Sequence, residues 1–142
     1  MTAGPGANRQ GLRGYVTSRG FGKFFIPVPL QSLALRDYCA RKSKLYVLPV
    51  NENDFAHSYM VLEGLIKNLA AFEGVVMYSM QMLPKKSERR HQIYETILAQ
   101  SCTLHFVLED TVVSGSADVE RIEELLQVMR LAEQAPGVGS VV

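Results

Sequence analysis

A single three-layer α/β domain with a mainly parallel sheet is predicted by three observations. Between residues 12 and 133, apolar runs of strand length alternate with segments of helical period, the pattern of β-α-β units with helices covering the sheet. The 142 residues, 47% of them hydrophobic, suffice for one core and not two. No internal repeat or low-complexity block interrupts the plan.

Four strands are expected. The first, 12-LRGYVTS-18, runs into a loop rich in Gly, Phe and Pro. The first helix begins at Pro29, where the first turn tolerates proline, with Leu30, Leu33, Ala34 and Tyr38 on its apolar face. Arg41, Lys42 and Lys44 suit the negative end of its dipole. Strand two is 45-LYVLPV-50, and Pro49 points to a strand end or a sheet edge. Leu62, Leu65, Ile66 and Leu69 mark the second helix, and 75-VVMYSM-80 is a buried third strand. A third helix spans about 85–100 with Ile93, Tyr94, Ile97 and Leu98 as its stripe. Strand four, 103-TLHFVLE-109, precedes an amphipathic last helix from about Ala117 to Glu133, carrying Val119, Ile122, Leu126 and Met129. That helix is expected to cover the sheet or form a dimer interface. Residues 1–11 and 134–142, rich in Gly and small side chains, are read as tails.

A formal net charge of +1 gives no global field to draw in nucleic acid or an anionic membrane. The N-terminal run lacks the apolar core of a signal peptide, and no segment approaches membrane-span length. A cytoplasmic location is therefore expected, with Cys39 and Cys102 as reduced core thiols rather than zinc ligands. No metal or cofactor is expected. Met77, Met80 and Met82 read as packing.

In open parallel sheets, ligands bind outside the carboxyl ends of the strands, so the candidate site is drawn from those ends. Ser18 and Arg19 precede a glycine-bearing loop that can hold a phosphate or carboxylate. The loop spells neither a Walker sequence nor a dinucleotide fingerprint. After strand two, Asn51 and Asn53 can orient sugar hydroxyls and Glu52 can accept a proton, although such residues also build turns and caps. His57 is the best acid or base by type; His105 reads as a packed strand residue and His91 as solvated. Tyr78, Ser79 and Gln81 end strand three, Glu109 and Asp110 end strand four, and the basic run 85-KKSERRH-91 offers an anion surface.

Two resemblances follow from these segments. The order of a short strand ending in Ser, the helix of QSLALRDYCARKSKLYVLP, a helix before a buried strand, and a further helix leading to LHFVLED is similar to the catalytic domain of resolvase-type serine recombinases. That resemblance implies a resolvase-like fold, with Ser18 at the nucleophile's place. It also argues against strand exchange. Val16 stands where an arginine is expected, and YSMQMLP replaces the arginine-bearing loop after strand three, so a developing phosphorane charge would lack its stabilisers.

The segments GYVTSRGFG, IPVPLQSLALRDYCARK, LPVNEN, HSYMVLEGL, EGVVMYSMQMLP and LHFVLED resemble a family of small bacterial proteins, the sporadic carbohydrate cluster family. This resemblance implies a part in glycan or unusual-sugar biosynthesis and supplies no catalytic residues. The expected function is thus acid/base chemistry on a sugar, sugar phosphate or nucleotide sugar, of isomerase, epimerase or dehydratase type. His57, Tyr78 and Glu52 would move protons; Ser18, Arg19, Asn51, Asn53, Ser79 and Gln81 would bind substrate. The alternative is a non-catalytic resolvase-like partner or scaffold of an enzyme in the same pathway. Homo-oligomers are expected under either, and nucleic acid and membrane partners are not.

Overall fold

A computed structural model describes residues 9–22, 25–52 and 59–134 of the protein. Asn53 and His57 lie outside the described residues, as does most of each expected tail. The elements run β1 (Leu12–Thr17), α1 (Val28–Arg41), β2 (Tyr46–Glu52), α2 (Met60–Ile66), β3 (Gly74–Met77), α3 (Ser87–Ala99), β4 (Thr103–Phe106), β5 (Thr111–Val113) and α4 (Ser116–Gln134), with a 3-10 turn at Met80–Met82. The sheet order is β2-β1-β3-β4-β5. All neighbouring pairs are parallel except β4 with β5. The α/β class and the flanking helices match expectation, and the sheet has five strands rather than four.

Side chains that alternate along the strands divide the interior into two layers. Leu12 and Val16 of β1 and Val76 of β3 pack with Leu35, Tyr38 and Cys39 of α1. Tyr15, Val75, Met77, Leu104 and Phe106 face the other way, against Leu62 and Ile66 of α2, Ile93 and Ile97 of α3, and Ile122 and Leu126 of α4. Met77, Met80 and Met82 are buried in this second layer. Both cysteines are buried free thiols, and burial pushes Cys39 up to about 11.

The apolar face expected for α1 is rotated in the structure. Leu30 and Leu33 are 54% and 63% exposed, and the covered residues are Gln31, Leu35, Tyr38 and Cys39. Gln31 wins a buried place through its amide: Nε2 donates to the Thr17 and Ile26 carbonyls at 2.7 Å each, and Oε1 accepts from Thr17 N at 3.2 Å. These bonds tie the helix start to the end of β1, satisfying backbone groups that the strand leaves unpaired.

Strand β3 is shorter than expected. The Ser79 hydroxyl accepts from Gln81 N at 3.1 Å and turns the chain out of the sheet into the 3-10 turn. At the other end of β3, a Cβ on Gly74 would collide with the Thr103 carbonyl of the neighbouring strand. Gly74→Ala is therefore expected to destabilise the fold by about 1–3 kcal/mol, measured as a lower urea midpoint at unchanged m.

The chain leaves β1 for β2 on one side and returns past it to β3 on the other. That reversal opens a crevice outside the carboxyl ends of β1 and β3.

Candidate functional site

The centre of the carboxyl edge is a buried carboxylate. Glu52, 1% exposed, ends β2 and accepts from the Tyr15 hydroxyl at 2.5 Å, from Val61 N at 2.9 Å and from Leu62 N at 3.3 Å. Among the described residues its hydrogen-bond partners are all donors, so β2, β1 and the first turn of α2 are joined through one side chain. Burial, then the bond to Glu52, raises the Tyr15 phenol well above its ordinary value. The Glu52 carbonyl also accepts from the Thr17 hydroxyl at 3.2 Å and from Ser18 N at 3.4 Å.

Beside this junction stands a cationic group built on Tyr59. The Arg19 guanidinium lies 4.2 Å and that of Arg89 5.2 Å from the Tyr59 ring centroid, both within cation–π range. Arg19 N donates to the Thr17 hydroxyl at 3.0 Å, and Arg19 Nη2 lies 3.4 Å from the Tyr15 hydroxyl. Arg89 grips Glu63 of α2 with two bonds, Nε at 2.7 Å and Nη2 at 3.0 Å. That hydrogen bonding holds the Glu63 carboxyl below the usual carboxylate range. Two guanidinium groups, from the loop after β1 and from α3, thus converge on one aromatic ring, and the half-buried Ser18 precedes one of them in the chain.

The third strand contributes differently. Tyr78 is half-buried and tilted against Phe21 of the loop after β1, centroids 6.0 Å apart, which brings the ends of β1 and β3 together. Ser79 is buried. Its hydroxyl donates to Glu109 Oε2 at 2.7 Å while Met80 N donates to Oε1 at 3.0 Å. Gln81 is half-buried with an unpartnered, covered Oε1. It sits against Gly22, whose φ of +59° and close approach to that oxygen suit glycine alone. Asn51 is exposed on β2, opposite Val16 in register.

Of the residues expected in the site, Ser18, Arg19, Glu52 and Tyr78 lie at the crevice between β1 and its neighbours, and Asn51 lies at its open edge. Glu52 and Ser79 are enclosed: their polar atoms hold protein groups, so their positions suit orienting the site better than touching a ligand. Sequence reasoning missed Tyr15 and singled out neither Tyr59 nor Arg89. Arg89 lies within the basic run KKSERRH and Tyr59 within the polar segment NENDFAHSY, so the local compositions carried a signal, but not the pairing.

His105 is buried, with Nδ1 2.7 Å from the Tyr38 hydroxyl and Nε2 2.8 Å from Thr103 Oγ1. His91 is exposed on α3.

No protein-family model matches the chain, and no curated protein matches it. Among solved structures, it is similar to the crystal structure of the N-terminal catalytic domain of TP901-1 integrase. The TM-score is 0.57, over 86% of this chain and 97% of that one, at 12% identity. At that identity the likeness is one of fold, and it supports the resolvase-like α/β architecture with its C-terminal helix. Among the described residues, no helix is long and apolar enough to cross a membrane.

Proposed function

We propose that the protein acts in bacterial carbohydrate biosynthesis, in the cytoplasm, and binds an anionic sugar derivative, a sugar phosphate or nucleotide sugar, at the carboxyl edge of its sheet. The observation that carries this reading is the convergence of Arg19 and Arg89 on Tyr59, at the carboxyl edge where such folds bind ligands. Guanidinium groups suit phosphate and carboxylate oxygens, and Arg89 would act on a ligand mainly through its charge, since Nε and Nη2 already hold Glu63. Aromatic Tyr59 and Tyr78 offer faces for a ring. The resemblance of GYVTSRGFG, HSYMVLEGL and EGVVMYSMQMLP to the sporadic carbohydrate cluster family supports the pathway. Fold alone decides no chemistry. In the catalytic form of this reading, Tyr78 and His57 exchange protons with the substrate, Glu52 positions Tyr15 and Arg19, and Asn51 and Asn53 bind hydroxyls.

The test is titration of the purified protein with nucleotide sugars, sugar phosphates and free sugars, read by calorimetry and thermal shift. Binding at a ligand concentration of 100 times Kd is expected to stabilise the protein by about 2.7 kcal/mol. Arg19→Ala should weaken binding of the phosphorylated members by about 10-fold or more. Equal binding of phosphorylated and free sugars would remove the anion from this reading.

A second reading is a non-catalytic partner protein of the same pathway, associating with itself or with an enzyme. It is favoured by the engagement of Glu52 and Glu109 in holding backbone N–H groups, which withdraws two carboxylates of the edge from proton transfer. The exposed row Leu125, Val128 and Leu131 on α4, spaced along one side of the helix, would serve its self-association. Light scattering on the intact protein is expected to give a dimer mass if that row is an interface.

A further inference from the structure

An open cavity of about 420 Å³ lies along α4 beside Arg90 of α3, lined among others by Gln127, Arg130 and Leu131. Its volume falls in the range of small-molecule sites, about 300–1,000 Å³. The two arginines in its wall are used in opposite ways. Arg90 is saturated: Nε and Nη2 grip Glu123 at 2.8 and 2.6 Å, and Nη1 donates to the Pro84 and Lys85 carbonyls at 3.1 and 2.6 Å. Glu123 also accepts from the Tyr94 hydroxyl at 2.7 Å. This network fixes the cavity wall.

Arg130 is half-buried beside it. Among the described residues, its hydrogen bonding amounts to one long contact, Nη1 to the Lys85 carbonyl at 3.5 Å, and no carboxylate lies within ion-pair distance. A guanidinium has five N–H donors, so most of its donating capacity is unclaimed by the described residues. Burial, then the neighbouring Arg90 charge, pulls it below its ordinary range, with Glu123, Tyr59 and Glu133 opposing. A partly desolvated cation next to another cation is a costly arrangement that an anion relieves.

We infer that this cavity is an anion-binding subsite for the phosphate of a small molecule, with Arg130 as the principal donor. The lining selects further. Gln127 adds a neutral donor and acceptor, and Glu124 accepts hydroxyl hydrogens while repelling a ligand that is anionic throughout. Leu126 and Leu131 supply an apolar wall. One charged end, hydroxyls and an apolar face together describe a sugar phosphate better than inorganic phosphate or an extended polyanion. Arg130 lies on a different element from Arg19 and Arg89, and Tyr59 acts electrostatically on it as well as stacking under Arg19.

The test uses the intact protein titrated with inorganic phosphate, glucose 1-phosphate and a duplex oligonucleotide, followed by calorimetry and 31P NMR. Glucose 1-phosphate should bind more tightly than inorganic phosphate, and Arg130→Gln should weaken it by about 10-fold or more. Binding unchanged in Arg130→Gln and lost in Arg19→Ala would overturn the subsite while leaving the strand-edge reading in place. The reverse pattern would support the subsite and count against the strand edge. Tightest binding of the duplex would overturn the small-molecule assignment, and binding of none of the three would overturn the subsite outright. Should Arg130→Gln fail to fold, the wild-type protein is modified with phenylglyoxal and mapped by mass spectrometry. Glucose 1-phosphate is expected to protect Arg130, and modification at an undiminished rate would overturn the proposal.

Discussion

Replacing Glu52 with alanine is expected to cost about 3–5 kcal/mol of stability, a large share of what a domain of this size possesses. The substitution leaves the Tyr15 hydroxyl and the N–H groups of Val61 and Leu62 facing a void where the carboxylate had accepted all three. Each buried donor without a partner costs about 1–3 kcal/mol. Glu52→Gln keeps one acceptor oxygen and replaces the other with an NH2 that faces a donor, so it should fall between wild type and Glu52→Ala. Tyr15→Phe removes one bond while leaving the two backbone donors satisfied, and should be the mildest of the three. Urea unfolding of the series checks the order. A Glu52→Ala protein as stable as wild type would show that the carboxylate is not the junction of β1, β2 and α2.

Stability should also fall by roughly 3 kcal/mol as the pH drops from 6.5 to 4, through one histidine. Burial, helped by the Lys44 and Lys42 charges and opposed by Glu73, pushes His105 down to about 4 from an ordinary 6.5. In that window the unfolded chain binds a proton that the native state refuses, so the unfolded state gains as pH falls. Above 6.5 both states are neutral and the group contributes no slope; below 4 both are charged and the slope ends. The geometry explains the refusal. Nδ1 lies 2.7 Å from the Tyr38 hydroxyl and Nε2 2.8 Å from Thr103 Oγ1, neutral partners that give a protonated ring no negative charge in exchange for its lost hydration.

Carboxyls held below their ordinary range act lower on the scale. Glu73 is lowered chiefly by its bond to Lys44, and Glu63 chiefly by its bond to Arg89. Their contributions are present above the ordinary carboxylate range and are lost only as the pH falls through their lowered values. Denaturation midpoints collected at half-unit steps separate the two windows. In His105→Asn the segment between 6.5 and 4 should flatten, whatever the absolute stability of that variant; an unchanged slope would assign the loss to other groups.

The regular elements were legible in the sequence because each hides one face or both. Ile93, Tyr94 and Ile97, or Ile122 and Leu126, recur at the helical period since they meet the sheet, and the apolar run 75–77 is covered on both sides. Strand β5 escaped because three residues cannot establish a period, and because it follows a tight reversal with Asp110 at a φ of 49°. The face of α1 was misjudged because hydrophobicity pointed to Leu30 and Leu33, while three hydrogen bonds drew the polar Gln31 inward.

The same limit governs the site. Ser18, Arg19, Asn51 and Tyr78 follow from one rule about strand ends, a rule of position. Whether Glu52 is solvated or enclosed depends on β2 continuing two residues past Val50 and on α2 aiming two N–H groups at it. Neither fact is local. Arg130 shows the limit most sharply: a basic residue on an amphipathic helix reads as a solvated one until the cavity beside it is seen.

The border of the sheet governs how the folded protein behaves in a crowded solution. Strand β2 forms an open border of the sheet, and Leu45 and Leu48 are exposed there, a combination that invites a strand from another molecule to add on and start a fibrous aggregate. Pro49 interrupts that template. It has no N–H to offer an incoming chain, and it lies where the pairing with β1 slips between Arg13 and Tyr15, so that two residues of β2 stand opposite Gly14. A kinked, donor-poor border is a weak seed. The irregularity that spoils the ideal ladder within the molecule also limits uncontrolled sheet growth between molecules, leaving association to surfaces with a defined shape.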